Sequence, residues 1–201
     1  MDRPSYDAVL CDLDGVIRFY DHTEVHALER AAGLPEGSTA EVAFAPEADL
    51  PLLLGRISRD DWVDAIARGL AGRTSAEQAR ALAQAFGYAP SWADAEAVAL
   101  LRQARERTPV VLVTNATTWL DGDLALLGLD DLADAVVNSS RVGVAKPDPR
   151  IYRIAAAEAG VPPERCLFVD DNEANVEAAR ALGMTGVVHT DPSDLRRALA
   201  G

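Results

Sequence analysis

The chain has 201 residues, enough for one domain with a substantial core or for one domain that carries a modest insertion, but too few for two equal domains. Its composition, 49% apolar and 25% charged, is typical of a folded globular protein and argues against a disordered chain. A formal net charge of −13 opposes non-specific binding to nucleic acid or to an anionic membrane, so we expect neither partner. An anionic ligand would then need a local positive centre, for which a bound divalent cation is one solution.

The two cysteines and the N-terminal segment bear on the cellular compartment. Cys11 and Cys166 each adjoin an apolar stretch, which favours two buried thiols in a reducing compartment over a disulfide. The N-terminus lacks the apolar core of a signal peptide, and no segment approaches the roughly 20 apolar residues of a membrane span. We therefore expect a cytoplasmic protein.

In chain order, the first predicted element is a short buried strand at 7–11, and a long helical region follows it. From about residue 19 to residue 88 no convincing strand is seen, whereas 24–32, 59–71 and 75–86 have amphipathic helical spacing. Ser58, and either Thr74 or Ser75, are suited to cap the last two helices. We interpret 19–89 as a helical insertion after the first strand.

The rest of the chain alternates helices with strands. A helix is predicted at 93–107, and further helices at 119–127, 150–159 and 175–182, the last of which ends near Gly183. Between and after them, apolar runs predict buried parallel strands at 109–113, 135–137, 165–169 and 185–188. This alternation predicts an α/β fold, a Rossmann-like parallel sheet with helices on both faces, formed by residues 1–18 and 90–201.

Polar residues follow four of the predicted strands where each strand ends. Since ligands of open α/β sheets bind outside the carboxyl ends of the strands, we expect these residues to meet in one crevice. Each motif alone also has an ordinary explanation as a turn, a helix cap or a complement to a helix dipole. The motifs are Asp12-Leu13-Asp14-Gly15, Thr114-Asn115, Lys146-Pro147 and Asp170-Asp171.

Lys146 is the single lysine among 19 basic residues, the others being arginine. Because a compact, rotatable ammonium differs from a planar guanidinium, this exception suggests a specific need for lysine at that position.

In order, the segments CDLDGVI, VLVTNAT, AKPDPRIY and FVDDNEAN resemble the four motifs of the haloacid dehalogenase superfamily. The resemblance covers the whole chain, and the helical insertion resembles the small cap that this family places after its first strand. LLLGRISRDDW resembles a segment of such caps. TNATTWLDGD and the Asp-Asp-Asn run are most similar to the phosphatase domain at the N-terminus of soluble epoxide hydrolases and to its free-standing bacterial relatives.

The resemblance implies a Mg²⁺-dependent phosphatase that hydrolyses a small organic phosphate monoester through an aspartyl-phosphate intermediate. It implies that Asp12 is the nucleophile and that Asp14 protonates the leaving alcohol and then accepts a proton from water. The phosphoryl oxygens would contact Lys146, the hydroxyl of Thr114 and the backbone N–H of Asn115. The family's metal ligands correspond to Asp12, the carbonyl of Asp14, Asp170 and Asp171.

Several alternatives stay open from the sequence. Asp14 disfavours a dehalogenase, since a halide needs no protonation, whereas a phosphomutase would share the intermediate but needs cap groups that exclude water, for which no clear histidine or lysine is identified. A non-catalytic phosphate-binding module is the third hypothesis. Asn175 replaces a carboxylate that many relatives carry, so the metal site is complete only if Asp170 supplies the second acidic group. We expect a monomer or homodimer.

Substrate specificity in such enzymes resides largely in the cap and its hinge. Arg18, Tyr20, Arg56 and Trp119 are candidates for substrate contacts, with ordinary surface positions as the competing explanation for the two arginines.

Overall fold

The computed structural model describes residues 6–200. The strands of this part are β1 (Ala8–Cys11), β2 (Arg18–Tyr20), β3 (Ser91–Ala93), β4 (Val110–Thr114), β5 (Ala135–Asn138), β6 (Cys166–Asp170) and β7 (Thr185–Val188). Its helices are α1 (Thr23–Ala31), α2 (Ser38–Ala43), α3 (Pro46–Leu53), α4 (Arg59–Gly69), α5 (Ala76–Gly87), α6 (Ala95–Arg105), α7 (Leu120–Leu126), α8 (Ser139–Val142), α9 (Pro149–Glu158), α10 (Glu173–Arg180) and α11 (Pro192–Ala200), with one 3₁₀ turn at Pro163–Arg165.

The chain divides into two compact units. One is an α/β unit made of residues 6–19 and 92–200, and the other is a helical unit, Tyr20–Ser91. The predicted insertion, 19–89, differs from the helical unit only at its ends, and its role as a cap stays a prediction. Among the described residues, no helix is both long and apolar enough to cross a membrane.

The α/β unit contains a five-stranded parallel sheet in the order β5-β4-β1-β6-β7, which confirms the predicted fold class. Each of its strands lies within one residue of the range that the apolar runs predicted. Since successive side chains of a strand point to opposite faces, fully buried strands must feed two cores. Val9 and Cys11 pack into one apolar cluster, and Ala8 and Leu10 into another.

Helices cover both faces of this sheet. The first cluster includes Leu101 of α6, Leu120 of α7 and Leu195 of α11, whereas the second includes Tyr152 of α9 and Val176 of α10. Each such fully buried apolar side chain contributes roughly 1.5–3 kcal/mol relative to exposure, so the two clusters hold the sheet rigidly between its helices. The buried thiols of Cys11 and Cys166 belong to these cores, as the sequence predicted.

The helical unit confirms three predicted helices and adds two. Ser58 and Ser75 cap α4 and α5 through reciprocal capping boxes, which agrees with their predicted role. The helices α2 and α3 have six and eight residues, too few to show a clear amphipathic period, and α3 contains Pro51. Sequence patterning therefore missed them.

The absence of strands from about residue 19 was wrong at the start of that region. β2 and β3 pair in a separate two-stranded sheet, and each has only three residues. A three-residue strand is too short for an alternating pattern to stand out, so its existence depends on the partner strand rather than on its own sequence.

Candidate active site

Three neighbouring strands of the sheet, β4, β1 and β6, end at the same edge, and a polar residue of the predicted motifs lies at or directly after the end of each. Thr114 is the last residue of β4, Asp12 directly follows β1, and Asp170 is the last residue of β6. Parallel pairing therefore brings together groups that are far apart in the chain. Ligand oxygens of Asp12, Asp170 and Asp171 lie within 4.8 Å of one another, a spacing that suits a hard divalent cation.

Lys146 joins two of these carboxylates. Its ammonium lies 2.7 Å from Oδ1 of Asp12 and 2.6 Å from Oδ2 of Asp170, and its side chain is only 1% exposed. Burying an unpaired ammonium would cost several kcal/mol, so the two carboxylates are what hold this lysine in the interior. The one lysine of the chain is thus the cation at the centre of the acidic cluster.

The titration of these groups reflects their burial. Desolvation is the main cause that raises the pKa of Asp12, helped by the charge of Asp170 and opposed by Lys146. Burial by itself would lower the pKa of Lys146, but Asp12 and Asp170 together raise it. Burial and then the charge of Asp170 raise the pKa of Asp171. The cluster therefore has an excess of carboxylates that a further cation would stabilise.

Two asparagines keep the charged groups in place. The side chain of Asn115 donates from Nδ2 to the carbonyl of Lys146 (3.0 Å) and accepts from the backbone N–H of Lys146 (2.7 Å). Asn175 donates from Nδ2 to Oδ1 and Oδ2 of Asp170 at 3.0 and 3.2 Å. The position that departs from the family pattern therefore serves here to orient Asp170.

Gly15 leaves room for Asp171. Its φ of +80° lies in the left-handed region, and a Cβ on this residue would come within 2.3 Å of Oδ2 of Asp171. Glycine thus satisfies both a backbone conformation and a close approach.

Thr114 has an unusual hydroxyl. The residue is fully buried, and its Oγ1 has no hydrogen-bond partner among the described residues. An unsatisfied buried polar group costs about 1–3 kcal/mol, which suggests that this hydroxyl is kept for a ligand at the strand end.

Asp14 does not join the Lys146 cluster. Its carboxylate is paired with Arg18, which is buried and also contacts Asp123 of α7. Arg18 is therefore not an ordinary surface residue, whereas its contact with a substrate stays a prediction. Of the other specificity candidates, Arg56 is exposed, Trp119 is partly buried and Tyr20 is 38% exposed.

Asp123 was missed by sequence reasoning. It is the last residue of the quoted segment TNATTWLDGD, but it follows β4 by nine residues and lies inside a helix, so the sequence assigned it no role in the site. Only its contact with Arg18, 105 positions away, marks it as part of the site.

Comparisons with known proteins identify the family and the fold of the chain. Residues 6–183 match the family model described as a haloacid dehalogenase-like hydrolase. A phosphatase of Mycobacterium tuberculosis is 32% identical over 196 residues, which cover 90% of this chain and 85% of that protein.

Solved structures share the fold. A haloacid dehalogenase family enzyme of Bacteroides thetaiotaomicron, in complex with magnesium and inorganic phosphate, superposes with a TM-score of 0.69 at 22% identity, covering 92% of this chain and 94% of that chain. The L-2-haloacid dehalogenase of Xanthobacter autotrophicus, with chloropropionic acid covalently bound, has a TM-score of 0.64 at 24% identity, covering 96% and 81%. The similarity to the epoxide hydrolase branch stays a prediction.

Proposed function

This chain belongs to the haloacid dehalogenase-like hydrolase family, and we propose that it is a Mg²⁺-dependent phosphatase that acts on a small organic phosphate monoester through an aspartyl phosphate. The observation that carries the proposal is the contact of the Asp12 carboxylate with the buried Lys146, inside a cluster of three carboxylates. The phosphatase of M. tuberculosis supports the choice of phosphate over halide, whereas the solved structures include a phosphate-bound enzyme and a dehalogenase alike.

In the first half-reaction, a carboxylate oxygen of Asp12 attacks the phosphorus. The bond between phosphorus and the leaving oxygen breaks, its electron pair goes to that oxygen, and the carboxyl group of Asp14 donates the proton that makes it an alcohol. A halide leaving group would need no such donor, and this is why Asp14 favours phosphate esters.

In the second half-reaction, water attacks the aspartyl phosphate. Asp14, now a carboxylate, takes the proton of the attacking water, and the bond between phosphorus and the Asp12 oxygen breaks. The products are inorganic phosphate and the original Asp12 carboxylate, so atoms and charges return to their starting state.

Three groups are suited to hold the equatorial phosphoryl oxygens. Lys146 supplies a positive charge, the unpartnered Thr114 hydroxyl supplies a donor, and we assign a further donor to the backbone N–H of Asn115. Each would stabilise charge that develops in the transition state. Thr114 and Asn115 come from the end of β4, and Lys146 comes from the segment before α9.

The residues present fit a magnesium ion. Asp12, Asp171 and the carbonyl of Asp14 would hold it, with Asp170 as a further ligand or as a neighbour that orients the others. Oxygen donors at this spacing match the preference of Mg²⁺, which when bound would neutralise the carboxylates and polarise the phosphoryl group.

The test is phosphate release from a generic aryl phosphate, with Mg²⁺ and with EDTA, for the wild type and Asp12→Asn. We expect metal-dependent release in the wild type and none above background in the variant, while both proteins keep similar melting curves. Asp131→Asn makes the same chemical change at an exposed position and should keep full activity.

Other outcomes would contradict the proposal. Normal turnover by Asp12→Asn would remove the assigned nucleophile, and equal release in EDTA would remove the metal. Transfer of the phosphoryl group to a second hydroxyl, with little inorganic phosphate, would favour a phosphomutase. Retention of phosphate without hydrolysis across a panel of esters would favour a binding module.

A further inference from the structure

Arg18 is the second buried cation near the proposed catalytic groups. Its side chain is 4% exposed although it carries a full charge. It lies in β2, directly after the turn that begins at Asp14, and the backbone N–H of Arg18 donates to the carbonyl of Leu13 at 2.8 Å. The turn therefore places Arg18 beside Leu13 and Asp14 of the same motif.

The guanidinium engages the carboxylate of Asp14 through both of its oxygens. Nε donates to Oδ1 at 2.6 Å, and Nη2 donates to Oδ2 at 2.9 Å. Paired hydrogen bonds of this kind fix the plane of a carboxylate as well as its position, which a single ammonium contact does not do.

Asp123 holds Arg18 from the other side. Its Oδ2 accepts from Nη1 of Arg18 at 3.1 Å, and it is placed by helix α7 rather than by the turn. Because α7 is anchored in the core through Leu120 and Leu124, the orientation of Arg18 is tied to the rigid part of the α/β unit.

The two buried cations serve different carboxylates. Lys146 contacts Asp12 and Asp170, whereas Arg18 contacts Asp14 and Asp123. The assigned nucleophile and the assigned proton donor thus have separate charge networks, and the charge of Asp14 is nonetheless close enough to Asp12 to help raise its pKa.

We propose that Arg18, held by Asp123, is a positioning residue that orients the Asp14 carboxyl group for proton exchange with the leaving oxygen. This inference rests on the proposed function, since it takes Asp14 as the proton donor. In this role Arg18 acts through Asp14 alone, and we assign it no contact with the phosphoryl group or the leaving group.

This role predicts a dependence on the leaving group. A poor leaving group needs the proton of Asp14, whereas a strongly acidic phenol leaves without it. We therefore compare kcat/KM for phenyl phosphate and dinitrophenyl phosphate, because this quantity reports the steps up to release of the phenol and excludes hydrolysis of the intermediate.

For Arg18→Gln we expect kcat/KM on phenyl phosphate to fall by about tenfold or more, as part of the roughly 10²- to 10⁴-fold that acid–base catalysis supplies. On dinitrophenyl phosphate we expect a change below about twofold, because no proton is required there. Asp123→Asn should show the same selectivity for phenyl phosphate with a smaller loss of kcat/KM. Arg18→Lys keeps the charge but not the paired contact, and its loss should lie between those of Arg18→Gln and Asp123→Asn.

The effect must also disappear when Asp14 is removed. In an Asp14→Asn background, adding Arg18→Gln should change kcat/KM by less than about twofold on either substrate, since residues that act as a unit are not additive. Arg165→Gln is the matched control, because it removes a similar paired contact, with Asp7 at the opposite end of the sheet, and should leave both substrates unaffected.

Equal loss on both substrates, or a further loss in the Asp14→Asn background, would overturn the inference and leave Arg18 with a structural role. If Arg18→Gln does not fold, two milder variants give the same test. Asp123→Asn keeps the guanidinium of Arg18, and Arg18→Lys keeps a positive charge at that position. The proposed function fails separately, if the wild type releases no phenol from either ester or if Asp14→Asn shows no dependence on the leaving group.

Discussion

The α/β unit and the helical unit each bury carboxylates, but they stabilise them by opposite means. In the helical unit, Glu29 is fully buried and accepts hydrogen bonds from the backbone N–H groups of Gly37 (2.9 Å) and Thr39 (2.7 Å), at the start of α2. In the α/β unit, Asp12 and Asp170 lie beside each other and share one lysine.

The difference is visible in their titration. Burial alone would raise the pKa of Glu29, but the hydrogen bonds from Thr39 and Gly37 lower it overall. For Asp12 burial and the neighbouring charges prevail, and its pKa is raised. A carboxylate that accepts hydrogen bonds from backbone amides stabilises the fold. Carboxylates crowded around one cation instead lower the stability of the ligand-free protein, and a bound ligand would restore it.

The largest expected effect on stability comes from removing the shared cation. Lys146→Met leaves Asp12 and Asp170 buried without a positive partner, and loss of one member of a buried ion pair costs about 3–5 kcal/mol. Urea unfolding in EDTA should show this loss, and phosphate release should fall to background. An unchanged unfolding midpoint would mean that the cluster does not depend on the lysine.

Removal of the buried carboxylate of the helical unit should lower stability without altering chemistry. Glu29→Ala removes the acceptor of two backbone N–H groups. Because Gly37 is exposed and can bond water instead, the expected loss is about 1–3 kcal/mol, for the buried N–H of Thr39. We expect a lower urea midpoint but a normal kcat for the folded protein, and Glu29→Gln, which keeps one acceptor oxygen, should lose less. A kcat that falls as far as it does in Lys146→Met would erase the contrast between the units.

A smaller effect is expected where the acidic cluster approaches the backbone. Gly15→Ala places a Cβ against Asp171 and also meets the cost of a left-handed backbone, about 1–2 kcal/mol. Gly128→Ala has a similar positive φ but no heavy atom within 4 Å of the new Cβ, so it isolates the backbone cost. When activity is titrated with Mg²⁺, Gly15→Ala alone should need a higher Mg²⁺ concentration for half-maximal activity. An equal increase in both variants would exclude the contact with Asp171 as its cause.

The smallest expected effect concerns Asp49 of the helical unit, a carboxylate that is only partly buried, so solvent screening keeps its effect on stability small. Burial raises the pKa of Asp49 to about 6 from its usual 3.8. Between these two pH values Asp49 is ionised in the unfolded chain but protonated in the folded protein. The free energy of unfolding therefore falls as pH rises through this range, and the loss is complete above about 6.

Asp49→Asn should therefore match the wild type in melting temperature near pH 4 and exceed it slightly at pH 7. Glu47→Gln, an exposed change in the first turn of the same helix, is the control and should not reproduce that pH-dependent gain. A constant difference between Asp49→Asn and the wild type at all pH values would show that burial of the charge is not the cause.

The sequence by itself determined the parallel sheet, its five strands and the residues at their ends. Apolar runs and helical periods are local patterns, and parallel strands must expose their last residues at one edge, so Asp12, Thr114 and Asp170 could be expected to meet. The single lysine was also visible as an exception in composition.

Which partner each charge takes was decided only by the tertiary structure. The pairing of Arg18 with Asp123 joins residues 105 positions apart, and Glu29 finds its partners only because α1 and the start of α2 pack together. The short elements β2, β3 and α2 likewise exist through their neighbours. Local patterns decide which residues are buried and which strand they follow, whereas the partner of a buried charge depends on distances between elements, which no single segment contains.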